Sequence, residues 1–301
     1  MAIPCAISGL SGETLSDDGG GQLADQLQAV DWDCAWLTAL AARSRQWQQA
    51  LQLGAPAWRS EMNAQARAMQ LATEARPADS NGAPALQSSP LHFIKQDELP
   101  VGTAYEAHIA ASGAVPTRAN LHDFFNAAIW FLFPAIKAAL NARQADQIAL
   151  HGIQATRGGV RDALTVFDEN AVLFVCADNA LAEALRNFDW HTLFLARRSA
   201  WGRLCEVHSF GHALLEKLLM PYKAITAHAW IVEVTPDYFA WPEMQQRAYL
   251  DRVVAKQIVS LRTPRDFAPL PVLGIPGWCA DNPEPAFYAD SQVFRSRRRN
   301  T

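Results

Sequence analysis

Apolar side chains recur every three or four positions over two N-terminal segments of the chain. From Leu23 to Leu53 this spacing places large apolar residues on one helical face, and Trp58 to Ala75 consists largely of residues with high helix propensity. The pattern predicts an N-terminal helical region over residues 23–75. Residues 76–91 are rich in Pro, Ser, Asn and Gly, so we expect a linker or exposed loop that separates this region from the rest of the chain.

The most apolar part of the chain lies between residues 118 and 151. Its first half is apolar on almost every side, which is typical of a buried helix. Asn120 is a candidate N-cap, and Pro134 predicts a break near Phe133 because proline removes a backbone donor and clashes with the preceding turn. The apolar stretch from Ala127 to Ile136 is too short to cross a bilayer, so we expect no membrane span.

Short strands and helices alternate irregularly in the C-terminal half. We predict a hairpin in which Asp168 to Asn170 connects the strands 163–167 and 171–176, and this connection would expose the carboxylates of Asp168 and Glu169. Residues 264–285 hold six prolines and several large apolar side chains, which predicts an irregular strap packed on the core. The other predicted elements are helices over 179–187, 207–220 and 243–261 and a strand over 224–234.

These elements show neither an internal repeat nor a regular alternation of strand and helix, so a solenoid and a doubly wound sheet are both disfavoured. The predicted fold class is α+β, mostly helical, with a small mixed or antiparallel sheet and an irregular Pro-rich C-terminal strap. The expected organisation is a disordered tail (1–22), the N-terminal helical region (23–75), the linker (76–91), a main α+β domain (92–294) and a basic tail (295–301).

Composition places the chain among folded globular proteins and limits its partners. Half of the 301 residues are hydrophobic, 19% are charged and the net charge is -4, so there is no strong nucleic-acid signal. The five cysteines are odd in number and form no C-x-x-C pair, and the first 21 residues lack the pattern of a signal peptide. We therefore expect a cytoplasmic protein.

Four sequence strings carry a resemblance to a known family. They are PTR with LHDFFN (116–126), RDALTVFDEN (161–170), FGHALLEKLL (210–219) and LPVLGIPGW (270–278). Together, in this order, they resemble a bacterial family catalogued as domain of unknown function 3025, over roughly Phe93 to Phe294. The resemblance names no reaction and supplies no catalytic residue, so the candidate chemistry rests on the residues themselves.

One group of candidate catalytic residues lies at the start of the apolar helix. His122 and Asp123 follow Arg118, and a His-Asp pair with an arginine at a pocket mouth can bind a metal or activate water. The alternative is structural, because an Asp near a helix N-terminus is stabilised by the exposed amides and the helix dipole. The His-Asp pair alone is a weak signal, since metal-dependent phosphohydrolases of the HD type need further ligands.

Further candidates are spread along the chain. His208 and His212 are four residues apart in the predicted helix 207–220, which would line both imidazoles on one face as candidate metal ligands; a solvated face with a His212 to Glu216 pair is the alternative. Arg161 follows two glycines and is a candidate for anion binding or for a surface ion pair.

Two hypotheses from different classes of protein remain open. In the first, Arg118, His122, Asp123, His212 and Arg161 surround the pocket of a small-molecule or phosphoester hydrolase, with a divalent metal as candidate cofactor. In the second, the protein is a non-catalytic binding or scaffold protein whose buried polar groups satisfy one another. Ionisable residues inside apolar segments favour the first hypothesis, because burial destabilises them unless they are paired or used. The sequence names no partner beyond a small molecule.

Overall fold

The computed structural model describes residues 19–74, 90–152 and 158–296. These residues form ten α-helices, six β-strands and several short 3-10 turns, and helical residues outnumber strand residues. The α+β class with small sheets is therefore confirmed. The predicted linker 76–91 falls almost entirely outside the described residues, as do most of the predicted tails at both ends of the chain.

The helices and strands are numbered in chain order. The helices are α1 (Gly20–Gln28), α2 (Thr38–Leu51), α3 (Ala55–Glu74), α4 (Tyr105–Ser112), α5 (Leu121–Leu132), α6 (Pro134–His151), α7 (Gly159–Asn170), α8 (Asn179–Arg186), α9 (His212–Lys217) and α10 (Glu243–Gln257). The strands are β1 (His92–Lys95), β2 (Ala114–Thr117), β3 (Ala171–Cys176), β4 (Cys205–Ser209), β5 (Thr226–Glu233) and β6 (Ala268–Pro271).

The larger sheet has four strands in the order β4-β3-β5-β6. Strand β3 is antiparallel to β4 and parallel to β5, and β5 is antiparallel to β6, so the sheet is mixed. All six residues of β3 are buried, which explains why its sequence, AVLFVC, is continuously apolar instead of alternating. Strands β1 and β2 form a separate parallel pair.

The N-terminal helices pack directly on α5. The ring of Trp47 lies 5.4 Å from the ring of Phe124, and the ring of Trp58 stacks on Phe124 at 5.8 Å. The side chain of Asn63 also donates a hydrogen bond to the carbonyl of Phe93 and accepts one from its amide. The N-terminal region and the residues after the predicted linker therefore share one apolar core.

Helices α5 and α6 are separate helices that meet at the predicted break. Asn120 caps α5 by accepting a hydrogen bond from the amide of Asp123, Pro134 is the first residue of α6, and the helices are bent by 113°. Asp251 of α10 accepts hydrogen bonds from the amides of Ala135 and Ile136 at 3.0 and 2.9 Å. Its carboxylate thus serves as the acceptor for the amides at the start of α6, whose own residues supply none.

The predicted hairpin is wrong in its first half. Residues 163–167 belong to α7, whose buried side chains Ala163, Leu164 and Phe167 have helical spacing, and only 171–176 is a strand. A run of five largely apolar residues fits both the two-residue period of a strand and the 3.6-residue period of a helix. A run this short does not distinguish a strand from a helix.

The predicted helix over 207–220 is also wrong in its first part. Residues 205–209 form β4, which pairs with β3, and the helix is limited to His212–Lys217. The interruption falls at Gly211, where the chain turns from strand to helix. The predicted helices over 179–187 and 243–261 and the strand over 224–234 are present with slightly different ends.

The Pro-rich strap packs on the core as predicted but is not wholly irregular. Leu270, Val272 and Leu273 are fully buried, and Ile275 and Trp278 are nearly so. Residues 268–271 nevertheless form β6, an edge strand of the larger sheet, which is the one position in a sheet that accepts prolines.

Among residues 19–74, 90–152 and 158–296, no helix by itself combines the length and the hydropathy needed to cross a bilayer. Helices α5 and α6 combine them only as a pair, across the 113° bend, and every residue of α5 from Asp123 onwards is buried.

Cleavage of the chain within residues 76–90 would produce two fragments that share one apolar core. We expect these fragments to remain associated in native buffer, because separation would expose the rings of Trp47, Trp58 and Phe124 to water. Limited proteolysis followed by gel filtration measures this. Elution of a separate folded fragment that begins near residue 92 would instead support the two-domain organisation predicted from the sequence.

The carboxylate of Asp251 at the start of α6 should make the stability of the protein depend on pH. Burial raises the pKa of Asp251 to about 6, above its value in an unfolded chain, so the folded protein binds this proton more tightly. The stability of the wild type relative to Asp251→Asn should therefore increase by about 1 kcal/mol as the pH falls from 7 to 5. Urea melts at both pH values measure it, with Asp146→Asn, an exposed change on α6, as control. If the stability of the wild type relative to Asp251→Asn instead decreases as the pH falls from 7 to 5, the folded protein favours the charged form of Asp251.

Candidate functional site

A cavity of about 310 Å³ lies between α4, α5, α6, α7 and α9. Four of the five candidate residues of the hydrolase hypothesis line it: Arg118, His122, Asp123 and His212. Its other polar lining comes from residues on helices that are far apart in the sequence. The first hypothesis placed a pocket around these residues, and the structure contains a cavity there.

Three side chains converge on one point at the wall of this cavity. The Nε2 atoms of His122 and His212 are 3.1 Å apart. Oε2 of Glu169 lies 3.5 Å from Nε2 of His212 and 4.0 Å from Nε2 of His122. These atoms meet the distance requirement for a shared metal ion. Two imidazoles and one carboxylate are also a ligand set that zinc enzymes use, with a fourth position left for water.

The spacing of these three atoms is compatible with a small divalent ion. Ligand atoms at about 2.0 to 2.2 Å from zinc with tetrahedral angles lie about 3.3 to 3.6 Å from one another. Adjacent ligands of an octahedral ion at similar bond lengths lie only about 3.0 Å apart. The distance of 3.5 Å lies in the tetrahedral range, 3.1 Å is close to the octahedral value and 4.0 Å exceeds both, so metal binding would draw Glu169 towards His122.

The second nitrogen of each imidazole faces a carboxylate. Nδ1 of His122 lies 3.1 Å from Oε2 of Glu216, and Nδ1 of His212 lies 4.0 Å from Oδ2 of Asp168. The hydrogen bond to Glu216 favours the His122 tautomer that carries its proton on Nδ1, which leaves the lone pair of Nε2 unprotonated. Nδ1 of His212 is buried and makes no hydrogen bond with the described residues. If Nε2 of His212 is also unprotonated, the two lone pairs at 3.1 Å repel each other unless a proton or a metal ion lies between them.

Burial and charge set the protonation states. Burial lowers the pKa of His212 to about 4, so this imidazole is neutral at pH 7. The hydrogen bond to Glu216 raises the pKa of His122. Burial, and then the negative charge of Asp168, raises the pKa of Glu169. Burial opposes ionisation of Asp168, but Lys137 and the histidines outweigh it and hold its pKa below the ordinary value.

A glycine brings the two helices of the site together. Gly211 immediately precedes α9, and a Cβ atom at this position would lie 2.5 Å from the carbonyl oxygen of Glu169 and 2.6 Å from the backbone of Asn170. Only glycine therefore permits the start of α9 to approach the end of α7 this closely. The approach places the imidazole of His212 beside the carboxylate of Glu169.

The carboxylates of Asp168 and Glu169 lie where a helix disfavours negative charge. Both are in the last turn of α7, at the negative end of its dipole. Both also lose part of their hydration in the cavity wall. Nearby positive charge must compensate this double cost.

Lys137 supplies part of that compensation. It is 4% exposed, and its Nζ donates hydrogen bonds to Asp168 at 2.6 Å and to Asn126 at 2.7 Å. Asn126 in turn donates to the hydroxyl of Tyr105 at 3.1 Å. Burial, reinforced by the charges of Asp123 and Asp168, raises the pKa of Tyr105, so its hydroxyl stays protonated at neutral pH.

The carboxylate of Asp123 bonds to Arg118 and is not part of the converging group. This carboxylate accepts hydrogen bonds from Nε and Nη2 of Arg118, both at 3.0 Å, and from the Arg118 amide at 2.7 Å. The amide of Asp123 donates to Asn120. Asp123 therefore fixes Arg118 at the edge of the cavity and stabilises the start of α5, while the neighbouring His122 faces Glu216 and His212.

Two predicted site residues lie elsewhere. Arg161 is in the first turn of α7, about two turns from Glu169, and does not line the cavity. His208 is on β4, where Nε2 lies 2.7 Å from Glu206 and 3.3 Å from the hydroxyl of Tyr238. The proposed pairing of His208 with His212 on one helical face was wrong because a strand and Gly211 separate the two residues.

Four residues of the candidate site were not predicted to belong to it. The sequence predicted Asp168 and Glu169 as exposed turn residues and Glu216 as a surface partner of His212, and Lys137 was not among the candidates. A usable signal was present, because polar residues that interrupt buried helices need partners, and Lys137 and Asp168 are such residues.

Comparison with known proteins adds a family and no activity. No match to the chain was found among curated proteins or among solved structures. The family model described as "Protein of unknown function (DUF3025)" matches residues 91–298. The match contains every residue of the converging group and leaves the N-terminal helices outside. The match extends over more than half of the chain, and the chain therefore belongs to the DUF3025 family.

Proposed function

We propose that this protein is a metal-dependent hydrolase of small molecules, in which His122, His212 and Glu169 hold a zinc ion. The observation that carries the proposal is the convergence of their three ligand atoms, which lie 3.1 to 4.0 Å apart. The carboxylate of Glu216, 3.1 Å from Nδ1 of His122, supports it, because zinc-bound histidines usually donate their second N–H to such a group.

A zinc ion held by His122, His212 and Glu169 would keep one coordination position for water. It would lower the pKa of that water to about 7 and so would supply a hydroxide nucleophile at neutral pH. Hydrolysis would join the oxygen of this water to the electrophilic atom of the substrate and would break the bond from that atom to the leaving group. The leaving group would take up a proton, which replaces the one that the water lost.

The arrangement of charges supports a functional site more than a structural one. Asp168 and Glu169 combine burial with an unfavourable helix end, and Lys137 is a lysine buried in a cavity wall. Such groups reduce stability in comparison with apolar residues of the same size. Groups with perturbed ionisation that gather in one cavity are typical of catalytic sites.

Under the scaffold hypothesis, the 3.1 Å contact between His122 and His212 is a hydrogen bond with a shared proton, and no metal binds. A second alternative is iron(II), which two histidines and one carboxylate also bind in oxygenases, with octahedral geometry. Metal binding therefore separates the three interpretations.

We expect the purified protein to bind one zinc ion per chain and to melt at a higher temperature when zinc is present. At a free zinc concentration of 100 times the Kd, the stabilisation is about 2.7 kcal/mol. His212→Ala should abolish this increase, because it removes a ligand. Calorimetric titration, elemental analysis and thermal melts with zinc, manganese and iron(II) measure these effects.

His208→Ala is the matched control for this experiment. It removes an imidazole that lies outside the cavity, so zinc binding should stay within twofold of the wild type. Equal loss of zinc in both variants would assign binding to nonspecific histidine contacts. Unchanged melting in all three metals would leave the scaffold hypothesis, and preferential tight binding of iron(II) would favour the oxygenase ligand set.

Asp123→Asn tests the separate role of Asp123. Its carboxylate bonds to Arg118 and not to the converging ligand atoms, so we expect the zinc Kd to stay within about twofold of the wild-type value. Asparagine keeps one oxygen acceptor but loses the charge, and stability should fall by about 1 kcal/mol because Arg118 is largely exposed. A tenfold loss of zinc affinity would instead place Asp123 in the metal site.

A further inference from the structure

The charges that line the cavity limit what can bind there. Among the described lining residues, the cationic side chains are Arg118 and Lys137. The lining carboxylates are Glu106, Asp123, Asp168 and Glu169. The lining without a metal therefore carries two excess negative charges when both imidazoles are neutral, and one divalent ion brings it to zero.

Both cations are already engaged by carboxylates. Arg118 gives two hydrogen bonds at 3.0 Å to Asp123, and Lys137 lies 2.6 Å from Asp168. Lys137 is in addition held by Asn126 and is almost completely buried. A phosphoryl dianion would thus enter a confined space in which each cation already has its own counter-charge, and burial makes such unbalanced charge costly.

The remaining polar lining suits an uncharged ligand. It consists of amides and hydroxyls, which donate and accept hydrogen bonds without contributing charge. The uncharged polar residues of the lining are Gln96, Tyr105, Asn126, Asn141, Gln144 and Thr165, of which Asn141 and Gln144 are on α6.

We propose that the substrate of this site is an uncharged small molecule with a hydrolysable carbonyl group, an amide or an ester, and not a phosphomonoester. This substrate class rests on the proposed hydrolase function. The cavity of about 310 Å³ is at the lower end of the range for small-molecule sites, which sets the size of the substrate.

The reaction is a hydrolysis with water as the only second reactant. The hydroxide oxygen forms a bond to the carbonyl carbon, and the C–N or C–O bond to the leaving group then breaks. The leaving nitrogen or oxygen takes up a proton equivalent to the one lost by water, and the products are an acid and an amine or alcohol. The hydroxyl of Tyr105 and the ammonium of Lys137 line the same cavity and are among its hydrogen-bond donors.

Two substrates with the same leaving group test the proposal. We expect protein loaded with one zinc per chain, with free zinc removed, to hydrolyse p-nitrophenyl acetate with kcat/KM at least 100-fold above that for p-nitrophenyl phosphate. The rate of the metal-free protein is subtracted, because exposed side chains also react with the acetate ester. His212→Ala should show only this background.

A binding measurement tests the charge argument without turnover. The zinc-loaded wild type should bind inorganic phosphate only weakly, with a Kd above about 1 mM. Asp123→Asn frees Arg118 from its counter-charge and should tighten phosphate binding at least tenfold. Asp146→Asn changes the same charge at an exposed site outside the cavity and should leave the phosphate Kd unchanged.

The possible failures differ in meaning. Equal or faster hydrolysis of the phosphate ester, or micromolar phosphate binding by the wild type, would overturn the substrate class and leave the hydrolase function in place. Equal tightening of phosphate binding in both Asn variants would refute the role of the cavity charges. A zinc-loaded protein that hydrolyses neither ester would contradict the proposed function and, with it, this substrate.

Discussion

The contact between the end of α7 and the start of α9 is the constraint on which the candidate site depends. It exists because Gly211 has no side chain, since a Cβ atom there would overlap the backbone of Glu169 and Asn170. The same approach brings His212 within 3.5 Å of Glu169 and allows its Nε2 to reach that of His122 on α5. A larger residue at 211 would separate the two helices, and the three ligand atoms would no longer converge.

The rest of the fold supports α5, which carries His122. On one side, the rings of Trp47 and Trp58 pack on Phe124, so helices outside the family match help to fix the helix that carries His122. At its far end, the 113° bend before Pro134 turns α6 back across α5, and Lys137 reaches Asn126. Aromatic packing and the bend together reduce the freedom of the converging residues, as the proposed binding of a metal requires.

Charge balance connects the site to its proposed chemistry. Each cation of the cavity has a carboxylate partner, and of the two carboxylates in excess, Glu106 and Glu169, the second faces the point at which the two imidazoles meet. A divalent ion at that point would neutralise the lining and remove the repulsion between the two Nε2 lone pairs. The same neutrality disfavours a doubly charged substrate, so the proposed metal and the proposed substrate class follow from one electrostatic argument.

The sequence by itself determined the α+β class, the break at Pro134, the Asn120 cap and the choice of His122 and His212 as candidate site residues, because these depend on local spacing and on residue chemistry. Tertiary structure alone decided that residues 163–167 are helical and that 205–209 form a strand, since short apolar runs fit either period until pairing and burial select one. It also decided which side chains converge in the cavity. Glu169 and Lys137 become site residues only through contacts with helices distant in sequence, and no local pattern encodes which distant side chain will neutralise a buried charge.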